Sequence, residues 1–425
     1  MALTVIVLLV LLFLNVPVFI SVLSGCIIYF MSNSTSSLLL AQRVIGGMES
    51  IPMLAVPFFV ATGVFMNYSG ITERMLQFCK VLTGHMIGGL AQVNIVLSTL
   101  MGGMSGSSLA DAAMEAKMLV PEMEKTGYSR AFSTAVTAAS SIITPLIPPG
   151  IAAIIYGSVT NTSIGKLFIA GIIPAVILCV TMMVLVNVIS KKRGYKAITE
   201  KRATAGELWT AFKPAFLPLL LPLIIIGGIR FGIFTPTEAG AIAILYSLIL
   251  GFGYKTLKIE HVIKGLKETV VTTGTIMLIV GTASCFAWIL TTERVPQTMT
   301  TFLIALCRNK YIFLLVVNIF LLIVGMFIEA TAAQIVLAPM LVPVATAFGI
   351  DPVHFGMVFI FNMAIGSLTP PMGNLMFVTC GATKCKTEDF IKACIPFYIL
   401  LFGMLLLMTY IPSVTTILPN VIYGY

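Results

Sequence analysis

Apolar runs dominate the chain, and polar positions interrupt them at only a few places. The long runs lie at 3–31, 132–156, 167–189, 270–290, 312–328 and 390–410. Each is long enough to cross a bilayer, because a helix rises about 1.5 Å per residue through about 30 Å of hydrocarbon. Shorter or broken runs lie at 51–66, 86–101, 216–229 and 334–348. The pattern predicts about a dozen membrane-embedded helices. The first run lacks the basic start and small-residue cleavage site of a signal peptide, so it is expected to be a single retained helix. Alternating ten-residue segments are too few for an outer-membrane barrel.

The polar interruptions fall into two matched sets. The first set is "GGMSGSSLAD" at 102–111 and "GMFIEATAAQ" at 325–334. The first follows the run at 86–101, too short to cross comfortably, and the second repeats the device in the other half, which is the pattern of a re-entrant hairpin. Ser108 with Asp111, and Thr331 with Gln334, have the spacing of a capping box, so each tip is expected to start a new helix there. A helix end leaves carbonyls unpaired and a helix start leaves amides unpaired. One tip therefore offers oxygens to a cation and N–H groups to an anion. Asp111 is read as a cap and not as a proton carrier, with Glu115 and Lys117 spaced as its helical neighbours.

The second set is "SIITPLIPPG" at 141–150 and "GSLTPPMGN" at 366–374. Proline removes a donor and clashes with the preceding turn, so carbonyls are freed. Unwound backbone at membrane depth survives only where it is buried or lines a cavity. Thr144 and Thr369 stand beside these breaks. Carbonyl and hydroxyl oxygens with few formal charges suit a monovalent cation such as Na⁺, whereas a divalent ion would draw several carboxylates.

The two halves also echo each other. Gly103 precedes Met118 by 15 residues, and Gly325 precedes Met340 by the same 15, with "MLVP" following both times. Weak internal symmetry with paired, Gly/Pro-interrupted segments points to a secondary transporter, and inversion of the second half is what such repeats usually imply. The expected organisation is one membrane domain, 1–425. Its first half, 1–212, holds a hairpin at about 86–121 and a broken helix at about 130–157. Its second half, 213–425, holds a hairpin at about 312–343 and a broken helix at about 352–383.

Composition agrees with this class: 58% of residues are hydrophobic and 10% charged. The net charge of +9 is concentrated in two loops, Lys191 to Lys213 and Lys255 to Lys267, which should face the cytoplasm. Membrane topology explains those clusters better than nucleic-acid binding does. The eight cysteines lie mostly singly, and Cys380 and Cys385 lack the spacing of a zinc or redox pair. No Walker loop is present, and "GMSGS" at 103–107 lacks the strand context of a nucleophile elbow. None of the three histidines sits centrally in a span, so an intramembrane protease is not expected either. "FTPTEAG" at 234–240 reads as a helix start, with Thr235 as cap, Pro236 at the first position and Glu238 three residues on. Arg230 just before it is a candidate partner for Glu238.

With these motifs in view, the chain resembles the large membrane subunit of a tripartite ATP-independent periplasmic (TRAP) transporter. The residues that carry the resemblance are 102–113, 119–150, 232–243 and 366–378, which are spread over most of the length. The resemblance implies an all-α polytopic membrane protein of elevator type, with inverted repeats, two re-entrant hairpins and two broken transmembrane helices, similar to the divalent-anion/sodium symporters. It implies Na⁺-coupled import of an organic acid across the bacterial inner membrane by a multi-pass protein that is not an enzyme. A periplasmic substrate-binding protein would deliver the substrate, and a small four-helix membrane subunit would complete the transporter. Each expected Na⁺ site pairs a tip with a break. One comprises Gly103, Ser105, Ser108, Thr144 and Pro145, and the other Gly325, Glu329, Thr331, Thr369 and Gly373. The substrate is expected near Ser107, Ser108, Thr331 and Pro149, held by amides, hydroxyls and bound Na⁺. The serine-rich first tip favours a polyhydroxylated acid such as sialic acid. A C4-dicarboxylate, another sugar or keto acid, or a self-sufficient divalent-anion/sodium symporter are the alternatives.

Overall fold

The computed structural model describes residues 2–14, 16–33, 36–49, 51–307 and 309–424, and every regular element among them is helical. Among the described residues seven helices are long and apolar enough to span a membrane, and up to nine spans result if each of two bent pairs counts as one. Three shorter apolar helices, Leu3–Leu12, Val18–Ser32 and Pro352–Leu368, bring the set to about the expected dozen. The helix Ile172–Arg193 shows the membrane pattern plainly. Ala175, Leu178, Met182 and Val186 are buried on one face, while Val176, Val180, Val184 and Val188 are exposed on the other. A helix apolar on all sides has protein on one flank and lipid on the other.

Three expectations need correction. The run at 3–31 is not one helix but two, Ala2–Phe13 and Val18–Ser32, packed against each other. Pro17 stands just before the second, where its missing N–H costs nothing, and it cannot continue the first. The run at 216–229 is not short: it belongs to the 26-residue helix Ala205–Arg230. A capping box starts that helix upstream, with Thr204 accepting from Glu207 N and Glu207 Oε2 accepting from Thr204 N at 2.8 Å. Arg230 does not pair with Glu238. The Glu238 carboxylate takes the Thr235 N–H at 2.7 Å and its hydroxyl at 2.9 Å, completing the box that begins helix Pro236–Gly253. Arg230 instead lies over the Tyr423 ring.

The two interrupted helices occupy the centre. The first runs Arg130–Ser140, tightens into a 3₁₀ turn at Ser141–Leu146, and resumes as Ile151–Thr160. The second runs Pro352–Leu368 and resumes as Asn374–Thr383. Their inner segments are sheathed in protein: residues 132–146 and 353–368 are all buried. Around them stand two helical pairs, Gly89–Ser105 with Ser108–Lys125, and Lys310–Phe327 with Ala330–Ala347. Each outer segment packs on the pair from the other half. Ile151–Thr160 lies against Ala330–Ala347, and Asn374–Thr383 lies against Ser108–Lys125. Gln334 Nε2 donates to Ala152 O at 2.6 Å across the first of these crossings, and Thr134 Oγ1 donates to Thr383 Oγ1 at 3.0 Å between the two broken helices.

Candidate ion and substrate site

At the first tip the chain reverses within two residues. Helix Gly89–Ser105 ends at Gly106, which adopts φ +63, and Ser107 is extended. A left-handed residue costs glycine nothing, so Gly106 allows the reversal. Its lack of a side chain matters too, because a Cβ there would lie 2.5 Å from Pro149 O. Gly102 meets the break in the same way, since a Cβ on it would stand 2.8 Å from Thr144 Cα. Ile151 N donates to Gly106 O at 3.4 Å. The tip and the break are thus fitted backbone to backbone, through positions where only glycine leaves room.

The capping of the new helix differs from the sequence reading. Ser107, and not Ser108, is the N-cap, accepting from Ala110 N at 3.4 Å. Asp111 consequently falls in the first turn, fully buried, and turns toward the break. Its Oδ2 accepts from Thr144 Oγ1 at 2.8 Å, and the Ser105 hydroxyl lies beside the same carboxyl group. Oδ1 has no partner. One turn on, Glu115 is also fully buried, with Oε2 accepting from Ser98 Oγ at 2.6 Å and Oε1 bare. Lys117, which shares that helix, is exposed and does not reach either acid. The ion pairs among the described residues are Lys80–Glu122 and Arg130–Glu124, so neither buried acid has a basic partner. A buried charge without a partner is costly, and it is relieved either by protonation or by a compensating cation.

Behind Glu115 runs a buried chain of polar side chains. Ser98 meets Ser140 at 2.8 Å, Ser140 meets Asn94 at 3.1 Å, and Asn94 Nδ2 donates to Thr137 Oγ1 at 2.7 Å. These residues fix the first hairpin against the first broken helix. The sequence reading missed Glu115 as a buried group because helical spacing alone does not say which face turns inward. The small hydroxyl residues Ser98 and Ser140, placed in otherwise apolar stretches, were the available signal.

The second tip repeats the device with different atoms. Ile328 and Glu329 are both extended between helices Lys310–Phe327 and Ala330–Ala347. Glu329 is the N-cap, its Oε2 accepting from Ala332 N at 2.9 Å. The proposed box of Thr331 and Gln334 does not form, because Thr331 falls inside the first turn and Gln334 reaches Ala152 instead. Tip and break again meet at glycine, for a Cβ on Gly366 would stand 2.7 Å from Gly325 Cα. Asn362 Nδ2 donates to Asn318 O at 3.1 Å and to its Oδ1 at 3.0 Å, and Asn318 donates to Thr409 at 2.8 Å. This buried amide pair replaces the serine chain of the first half.

This duplicated architecture can be set beside known proteins. Residues 5–414 match the family described as the tripartite ATP-independent periplasmic transporter, DctM component. The chain belongs to this family. It is 44% identical to the sialic acid TRAP transporter large permease protein of Vibrio cholerae over 98% of this chain and 97% of that protein. It is 37% identical to the C4-dicarboxylate TRAP transporter large permease protein of Pseudomonas aeruginosa, over 94% of this chain and 93% of that protein. Among solved structures, the Alcanivorax borkumensis YdaH transporter superposes with a TM-score of 0.59 at 14% identity, covering 91% of this chain and 89% of that one. That likeness concerns the fold. The protein is therefore a multi-pass TRAP large permease, a transporter component and not an enzyme, and such a permease works with a small membrane subunit and a periplasmic binding protein.

In this TRAP permease the residues expected at the first ion site come together around one tip. Gly103 faces Ile147 and the Pro148 carbonyl, Ser105 and Thr144 share Asp111, and Pro145 lies in the 3₁₀ turn. Ser108 stands in the first turn, half-buried. For the second set, Gly325 touches Gly366, and Gly373 sits where a Cβ would strike Ser367 O and Thr369 O at 2.6 and 2.8 Å. The Thr369 hydroxyl donates to Ile365 O at 2.8 Å, leaving its lone pairs free to accept. Ser107, Ser108 and Thr331 each lie half-buried on their own tip, and Pro149 backs the first. Among the described residues no hydrogen bond joins one tip to the other.

Proposed function

We propose that this permease imports an organic acid, best matched by sialic acid, using a Na⁺ gradient and an elevator movement of the two hairpins with the two broken helices. One observation carries the ion part: the bare Asp111 Oδ1, buried beside the hydroxyls of Thr144 and Ser105, with no basic side chain paired to it. One carboxylate, hydroxyls and carbonyls make a donor set for a monovalent cation. The tip-and-break pairs are held together by backbone fits that a sliding motion would not need to open, which supports movement of the four elements as a unit.

The substrate part rests on similarity and on chemistry. The sialic acid relative is nearly collinear and more similar than the C4-dicarboxylate relative. Half-buried Ser107, Ser108 and Thr331 offer hydroxyls to a polyhydroxylated acid, and the helix starts behind them offer N–H groups to its carboxylate. Reconstitution tests the whole reading. Sialic acid uptake into proteoliposomes should need Na⁺, the small subunit and a substrate-loaded binding protein together. Uptake that persists when K⁺ replaces Na⁺ would sink the coupling, and uptake of a dicarboxylate in place of sialic acid would move the substrate.

A further inference from the structure

A cavity lies away from both tips. Its volume is 590 Å³, and its lining sets the polar Thr160, Asn161, Thr162, Lys166, Thr346 and Asp351 against apolar Val342, Pro343, Pro352 and Val353. One wall is the end of the first broken helix and the following turn, and the other is the base of the second hairpin. The two walls are tied together where Tyr156 Oη donates to Pro352 O at 3.0 Å.

Its position follows from charge. The helical stretch Ile164–Arg193 is 30 residues long and ends in Lys191, Lys192 and Arg193, with Lys196, Lys201 and Arg202 beyond. That end faces the cytoplasm by the positive-inside rule. About 45 Å of helix then places Lys166 at the opposite face, which is the side from which an imported substrate arrives.

The lining is selective. Threonine hydroxyls and an asparagine amide both donate and accept, as sugar hydroxyls do. Lys166 is the one basic residue of this lining. Asp351 is held in place by accepting from Val353 N at 2.7 Å and His354 N at 3.0 Å through Oδ1, and its other oxygen suits hydroxyl donors. Thr160 and Thr162 share a 2.8 Å hydrogen bond that orients both. A second carboxylate on the ligand would meet Asp351 and be repelled. We propose that this cavity is an outer transit site for a polyhydroxylated monocarboxylic acid, occupied before the substrate reaches the tips. The proposal rests on the import reading above and adds to it a preference for a sugar acid over a dicarboxylate.

The test uses the complex with the small subunit in proteoliposomes, carrying T346C, or T162C as a second probe position, in a C179S/C385S background. The six other cysteines are buried. A membrane-impermeant maleimide is added from outside, with sialic acid or succinate present. Sialic acid at ten times its dissociation constant should slow labelling about tenfold, and succinate should not. K166Q should abolish the protection without changing the labelling rate in the absence of ligand. Equal rates with and without sialic acid, protection that survives K166Q, or equal protection by succinate would each overturn the site. Na⁺-dependent uptake measured on the same vesicles separates the two claims. Uptake without protection removes the cavity alone, and protection without uptake removes the import reading alone.

Discussion

Thr144 donates its hydroxyl to Asp111 Oδ2 at 2.8 Å, joining the start of one helix to the break in another 33 residues along the chain. That bond makes the first tip and the first break one structural unit, and it aims a buried carboxylate at the space between them. Asp111→Asn keeps an acceptor for Thr144 but removes the charge. It should leave the fold intact and raise the Na⁺ concentration for half-maximal uptake about tenfold, the scale of one lost charge-assisted contact. An unchanged Na⁺ dependence would take Asp111 out of the ion site.

Ser105→Ala and Thr369→Ala probe the same claim from hydroxyl groups. Ser105 lies beside the Asp111 carboxyl, and Thr369 donates backward to Ile365 O while keeping lone pairs free. Both variants should raise half-saturating Na⁺ by several-fold, as expected for loss of one neutral ligand of about 1 kcal/mol. Sodium titrations of uptake read the effect directly.

Gly325 and Gly366 leave no space between their backbones, so Gly366→Ala should be poorly tolerated. The added Cβ would stand 2.7 Å from Gly325 Cα, and backbone cannot move aside as a side chain tip can. Overpacking of this kind costs about 1–3 kcal/mol. Gly227→Ala is the control, because nothing lies within 4 Å of a Cβ there. Thermal unfolding of the purified complex should show a fall for the first variant and none for the second.

Glu329 acts as a helix cap through Oε2, 2.9 Å from Ala332 N. Glu329→Ala should lower stability by about 1 kcal/mol, and Glu329→Asp should recover most of it. The same thermal measurement decides. Equal loss in both variants would show that chain length, and not a capping oxygen, is what the position needs.

Thr235→Ala removes the hydroxyl that accepts from Glu238 N at 3.3 Å and donates to its carboxylate at 2.9 Å. The expected loss is about 1 kcal/mol of helix stability. Half-saturating Na⁺ should not change, since this helix start lies outside both tip-and-break units. A shift in Na⁺ dependence would place it in the coupling machinery.

Much of this arrangement was legible from residue order. Apolar run length gives the membrane class, because hydrocarbon thickness sets how many residues must be apolar. Proline clusters mark both breaks and Gly106 marks the first tip, because proline and a left-handed glycine interrupt a helix. The echo between the halves was legible as the matched spacing of Gly103 to Met118 and Gly325 to Met340. The box at Thr235 and Glu238 was readable for a local reason, since all its atoms lie within one turn.

Tertiary structure alone decided which oxygen goes where. Ser107 displaced Ser108 as the cap because Gly106 turns the chain one residue earlier, and that single shift sent Asp111 inward to Thr144. Glu329 took the cap at the second tip, freeing Gln334 to cross to Ala152 in the other half. The run at 3–31 became two helices because Pro17 could begin a helix more easily than lie within one. Glu115 and its serine partners were hidden for the same reason: periodicity places residues on a common face, but only the packing of neighbouring helices says whether that face meets lipid, water or another carboxylate.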